Sequence, residues 1–235
     1  MNVHRWIAVG LGLALAGVTA AVAETAPAAA ATGSDALVEV KSKRFDQVAV
    51  QPGADFRRYT KVMLNPTEVT FARSWIKDMN ANRISLLTRT TPGDAERIAR
   101  SVRTGFDDAL AKALQRAGYA IVTAPGPDVL ALSPRVVDLY VNAPASITMA
   151  VPSRVYTQDA GEATFAFDVQ DATTGTLLAR VDDRRTAGDR GNFRSSFMIT
   201  NPVTNDRDFG QVLALWARDS VRTLDEFKQQ SPMKL

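Results

Sequence analysis

The chain has 235 residues, of which 46% are hydrophobic, 7% aromatic and 23% charged, the composition of one ordinary globular domain rather than a disordered, collagen-like or coiled-coil chain. Cysteine is absent and the single histidine is His4, so a chain trimmed at its N-terminus holds neither residue. Disulfides, thiolate nucleophiles, zinc sites of the Cys/His kind and Ser-His-Asp triads are thereby excluded. The 28 Lys+Arg nearly balance the 25 Asp+Glu, and a net charge of +3 without clustering on one face gives no nucleic-acid footprint.

Residues 1–23 read as a secretory signal: Arg5 in a short cationic start, an apolar stretch from Ile7 to Val18, and Ala21-Val22-Ala23 before a cut at Glu24. The apolar run is too short for a comfortable membrane span. Leu15-Ala16-Gly17-Val18 has the shape of a lipoprotein signal with Val18 where the acylated cysteine would stand, so no lipid is attached. The expectation is a cleaved, periplasmic protein with no stable membrane anchor. Residues 24–45 then form a leader, low in complexity at least to Asp35, residues 46–230 a single domain and residues 231–235 a C-terminal tail.

Tyr59 to Phe71 carries β-branched and apolar residues in the manner of a strand, with Pro66 at a bulge or edge. Residues 72–90 read as an irregular connection. Thr91-Pro92-Gly93-Asp94 is a helix start, with a threonine cap, proline at the first helical position and an acid at the positive end of the dipole. Ile98, Val102, Phe106, Ala109, Leu110, Ala113, Leu114 and Ala117 make the apolar stripe of a long helix that Gly118 ends. A short strand follows at Tyr119–Val122, a turn at Pro125-Gly126-Pro127, and a longer strand from Val129 to Val141, interrupted at Pro134.

Glu162 to Asp183 is the clearest hairpin. Ala163, Phe165, Phe167 and Val169 alternate with polar residues in one arm, Leu177, Ala179 and Val181 alternate with others in the second, and Gly175 suits the turn between them. After a polar loop from about Ala187 to Asn205, Phe209, Val212, Leu213, Trp216, Ser220, Leu224 and Phe227 mark a closing amphipathic helix. This order predicts an α+β fold: an antiparallel or mixed β-sheet with two long amphipathic helices packed on one face.

Several segments together resemble the bacterial family called domain of unknown function 3313. They are Gln51–Phe56 with Tyr59–Pro66, Gly118-Tyr119 with Pro125–Leu130, Asp138-Leu139, Asp171 with Thr174-Gly175, Asp183-Arg184-Arg185, and Trp216-Ala217-Arg218. Members of that family look like exported proteins and often lipoproteins. The resemblance implies an envelope protein and brings no reaction, substrate or catalytic set with it.

Three constellations have chemistry to offer. Ser74-Trp75-Ile76-Lys77 matches an S-x-x-K nucleophile pattern but lacks the K-T-G and S-D-N partners of that class. Asp138, Asp168, Asp171, Asp182 and Asp183 are the candidates for a histidine-free, paired-carboxylate hydrolase acting on envelope glycan, the alternative reading. Arg180, Arg184, Arg185, Arg190 and Arg194 crowd guanidinium groups into a short stretch whose forks suit carboxylate or phosphate. With Trp75, if exposed, these arginines are the candidate binding residues for an envelope protein or an anionic envelope ligand. The chain signals no metal site, cofactor or catalytic residue, and the reading is a binding module rather than an enzyme.

Overall fold

In the computed structural model, residues 37–81, 83, 89–142, 155–157, 159–188, 198–200 and 202–234 are described. They form β1 (Val38–Glu39), β2 (Gln47–Val50), β3 (Lys61–Leu64), β4 (Glu68–Phe71), α1 (Trp75–Asn80), α2 (Pro92–Arg116), β5 (Ala120–Ile121), β6 (Val129–Val141), β7 (Val155–Thr157), β8 (Gly161–Asp171), β9 (Leu177–Ala187), β10 (Met198–Thr200) and α3 (Pro202–Gln230). Eight strands make one mixed sheet in the order β1-β2-β9-β8-β6-β3-β5, with β4 also beside β6, while β7 and β10 pair separately. The pairs from β1 to β6 are antiparallel, and β3, β4 and β5 join in parallel.

The stretch expected as one strand from Tyr59 to Phe71 is two, β3 and β4, parted at Pro66. Both lie against β6, which runs unbroken through Pro134. The reason lies in the ladder: β3 pairs with β6 up to Leu132 and β4 takes over at Arg135. Pro134 falls in the gap between the two partners, where its missing N–H interrupts no ladder bond.

Thr91 starts α2 with a complete capping box: its hydroxyl accepts from Asp94 N at 3.2 Å and the Asp94 carboxylate accepts from Thr91 N at 2.9 Å. Gly118, at φ +87°, turns the chain out after Ala117, as the sequence requires. The apolar stripes of α2 and α3 meet on one face of the sheet. Phe165 of β8 is the centre of that core, with ring centroids 5.2 Å from Phe106 of α2, 5.3 Å from Trp216 of α3, 5.7 Å from Phe167 and 6.3 Å from Phe45. Each such ring contributes about 1.5–3 kcal/mol of transfer free energy.

Both ends of the domain extend beyond the bounds that the sequence predicts. Val38 and Glu39, inside the expected leader, pair with Val50 and Ala49, and Phe45 is buried. In the expected tail, 231–235, the described residues are held in the fold: Ser231 Oγ accepts from Phe56 N at 2.9 Å and donates to the Phe227 carbonyl at 2.6 Å. Met233 is buried and its backbone exchanges bonds with Gly53 and Ala54. Neither segment has the apolar periodicity that marks an element, since each is held by backbone bonds and one or two side chains. Residues 72–90, expected to be irregular, contain α1, and α3 begins at Pro202 rather than near Phe209.

Candidate binding surface

The arginine cluster is divided by the pleat of β9. Successive residues point to opposite faces, so Arg180 and Arg184 lie on the face of the sheet away from the helices and Arg185 lies beneath α3. Arg180 donates to Asp168 at 2.6 Å, and Arg135 meets the same carboxylate at 3.1 Å from the other side. Arg184 forms an exposed fork with Glu162 at 2.5 Å. Arg190 and Arg194 lie outside the described residues.

Arg185 enters a buried network. It donates to Asp183 at 2.6 Å, to the Arg44 carbonyl at 2.8 Å and to Asp219 at 3.4 Å. Asp183, 5% exposed, also accepts from Trp216 Nε1 at 2.7 Å and from Asp46 N at 3.1 Å. One carboxylate thus ties β9, α3 and the chain before β2 together.

Trp75 is not a surface residue. It is fully buried, stacked on Phe71 with centroids 4.3 Å apart, and its indole N–H donates to the Val141 carbonyl at 3.0 Å. The expectation of a contact residue fails because Trp75 opens α1, whose inner side packs on the end of β6. Ser74 precedes it at the cap position, exposed and without a capping bond from its hydroxyl, and no hydrogen bond joins it to Lys77 among the described residues.

The aspartates do not gather into one site: Asp168 and Asp182 are diagonal neighbours on one face of β8 and β9, Asp183 is on the other face, and Asp138 and Asp171 lie apart. Asp171 accepts from Tyr59 Oη at 2.7 Å, Arg58 at 2.6 Å and the Thr173 and Thr174 amides at 2.8 and 2.9 Å. Burial raises the affinity of Asp171 for a proton, but these donors outweigh it and hold the carboxyl below its ordinary range. Asp182 shifts the other way: burial, opposed by Arg180 and reinforced by Asp168, raises it. Asp138 sits exposed at φ 51°, where the register between β6 and β8 slips. The clefts between α2 and α3, beside residues 40–48, along residues 97–105 of α2 and around Pro66 and Pro134 contain none of the five candidate aspartates.

The cleft between α2 and α3, of about 740 Å³, is the feature that sequence reasoning missed. Gly105 faces Leu213 and Tyr119 Oη reaches Asp225 at 3.0 Å, so the helices run side by side in the same direction. Ala109, Ala113, Ala117, Ala214, Leu215 and Val221 supply its apolar lining, and Lys112, Arg116, Arg218 and Arg222 stand on its walls with Asp225 as the one acid. Arg218 is shared with Asp219 at 3.2 Å and stays half exposed. Lys112, Arg116 and Arg222 are exposed and have no ion pair among the described residues. A signal was present in the alanines at 109, 113 and 117, which step by one helical turn along the edge of the stripe rather than its centre.

The family model described as "Protein of unknown function (DUF3313)" matches residues 27–220. The chain belongs to this family. The segments that carry the likeness meet in the fold: Tyr59 with Asp171, Thr60 and Lys61 with Asp128, and Asp183 with Trp216. No curated protein matches the chain. Solved structures similar to it include protein XCC0632 from Xanthomonas campestris (13% identity, 77% of this chain and 90% of that chain, TM-score 0.39). Others are a minor lipoprotein from Acinetobacter baumannii (12%, 72% and 94%, TM-score 0.35) and the PelC dodecamer from Paraburkholderia phytofirmans (13%, 72% and 96%, TM-score 0.31). These TM-scores are too low for the likenesses to carry a reading of function. No helix among the described residues is long and apolar enough to cross a membrane.

Proposed function

We propose that this member of the family is an exported periplasmic protein that binds another envelope protein or an anionic envelope component rather than catalysing a reaction. The observation that carries the reading is the contrast in how its cations are spent. Arg180, Arg184 and Arg185 are neutralised within the fold, whereas Lys112, Arg116 and Arg222 stand unpaired, among the described residues, around an apolar cleft. Desolvating apolar surface between unpaired charges favours association with a complementary surface. Export is supported by the signal-like residues 1–23, and the lack of an acyl anchor by Val18.

The reading is tested in bacteria that express the chain with its own N-terminal segment and a photoreactive residue at Ala113 or Ala214, with Thr164 on the opposite sheet face as control. Discrete crosslinked adducts from the cleft positions, absent from the control, are the expected result. Adducts that do not distinguish the cleft from Thr164, no adducts at all, or a cytoplasmic protein that retains residues 1–23 by intact mass would each count against it.

A further inference from the structure

We infer that the cleft between α2 and α3 receives an acidic amphipathic helix of a partner protein. The inference rests on the binding reading above and gives the partner its chemistry. The cleft is lined from Ala109 to Ala117 along α2 and its cap and from Gln211 to Asp225 along α3, about 12 Å and about 21 Å of helix at 1.5 Å per residue, room for two to four turns. Its lining is small on the α2 side, where Ala109, Ala113 and Ala117 follow one another at single-turn spacing, so the ridge of a third helix can settle against the backbone. Lys112 and Arg116 form an i,i+4 pair on one wall and Arg218 and Arg222 form another on the opposite wall. A helix seated between them meets cations on both flanks, which matches an apolar stripe bordered on each side by Glu or Asp.

Asp225, the one acid in the lining, accepts from the Tyr119 hydroxyl at 3.0 Å and keeps its negative charge, but Lys112, Arg116, Arg218 and Arg222 outnumber it, so the walls stay cationic. Lys228, outside the lining, lies over the ring of Tyr119 at 4.1 Å and adds a further cation near the Asp225 end. Two other occupants fit less well. A second copy presenting the same cleft by two-fold symmetry would bring these cations against one another. A membrane surface calls for large apolar side chains that protrude and insert, and among the described residues the exposed ones are Val38 and Ile121, neither of which lines the cleft.

The test uses the full mature chain and a fluorescent helical peptide of about four to five turns, with leucines and alanines on one face and glutamates flanking them. The comparison probes are a scrambled peptide of the same composition, a version with Glu replaced by Lys, and vesicles of phosphatidylcholine with phosphatidylglycerol. Saturable binding of the glutamate peptide alone is expected, weakened about tenfold or more by Arg116→Glu with Arg222→Glu. Ala113→Leu, which raises the lining, is expected to weaken it as well. Arg116 and Arg222 are exposed and Ala113 is half-buried, and circular dichroism verifies the fold of each variant. Equal binding of the scrambled peptide, indifference to charge reversal, no binding of any peptide, or binding to vesicles alone overturns the inference. Cleft adducts in cells with no peptide binding would leave the binding reading standing and remove only the acidic helix; loss of both results would remove both.

Discussion

Replacing Asp183 with alanine removes the acceptor on which three donors converge. Trp216 Nε1 at 2.7 Å, Arg185 Nε at 2.6 Å and Asp46 N at 3.1 Å would lose their partner at a carboxylate that is 5% exposed. Removing one member of a buried ion pair costs about 3–5 kcal/mol, because the remaining charge is left without compensation. Asp219, 3.4 Å from Arg185, recovers part of this, so a loss of about 3 kcal/mol is expected from the midpoint of urea unfolding at unchanged slope. That is a large share of the 5–15 kcal/mol typical of a domain. Arg184→Ala, one residue along and on the opposite face, breaks only the exposed pair with Glu162 and is expected to cost less than about 1 kcal/mol. In the double variant Asp183→Ala with Arg185→Met, neither charge is stranded, and the loss should be smaller than the sum of the single losses. If Asp183→Ala costs no more than Arg184→Ala, or if the double variant is additive, the carboxylate does not hold the fold as argued.

Three further outcomes follow from the same contacts. Gly161 has φ +133° and a Cβ there would run into the Tyr140 carbonyl, so Gly161→Ala is expected to destabilise the domain by about 3 kcal/mol or more, measured by thermal or urea unfolding. Asp171, held below its ordinary range, contributes stability that is present above about pH 4 and disappears as pH falls through its lowered folded value. Asp171→Asn should therefore lower stability at pH 7 and flatten the acid limb of the stability curve, and an unchanged limb would contradict the assignment. Asp182 has the opposite sign: its raised folded value means that stability declines as pH rises past the ordinary carboxylate value, so Asp182→Asn should be more stable than the parent at pH 7 and converge with it below about pH 4. A lower unfolding midpoint for Asp182→Asn at pH 7 would show that its attraction to Arg180 and Arg135 outweighs its burial.

The fold was legible wherever one periodicity ran long enough to dominate. The 3.6-residue stripe of Val102, Phe106, Leu110 and Leu114 and the alternation of Phe165, Phe167 and Val169 placed the helix, the hairpin and their buried faces. What escaped depended on neighbours distant in sequence. Pro134 reads as an interruption until its partners β3 and β4 are seen to change beside it. Met233 reads as tail until Gly53 and Ala54 arrive to bond its backbone. Five arginines in one stretch read as one site because linear density ignores the pleat, and Arg184 and Arg185 part to opposite faces for that reason. The cleft was harder still to see, because its walls come from α2 and α3 and the alanines lining it carry no chemistry of their own.

The shared direction of α2 and α3 gives the cleft an electrical polarity. With Gly105 level with Leu213 and Tyr119 level with Asp225, the amino ends of both helices, at Pro92 and Pro202, come nearly abreast, while α3 runs on past the end of α2 by roughly 9 Å at 1.5 Å per residue, its final carbonyls lying beyond those of α2 in the same direction. A third helix laid between them would experience two macrodipoles pointing one way, and it would rest most favourably head to tail against both. Reversing the order of residues in such a guest, while keeping its stripe and its charges, should then be felt as a change in affinity, because the receptor distinguishes forward from backward.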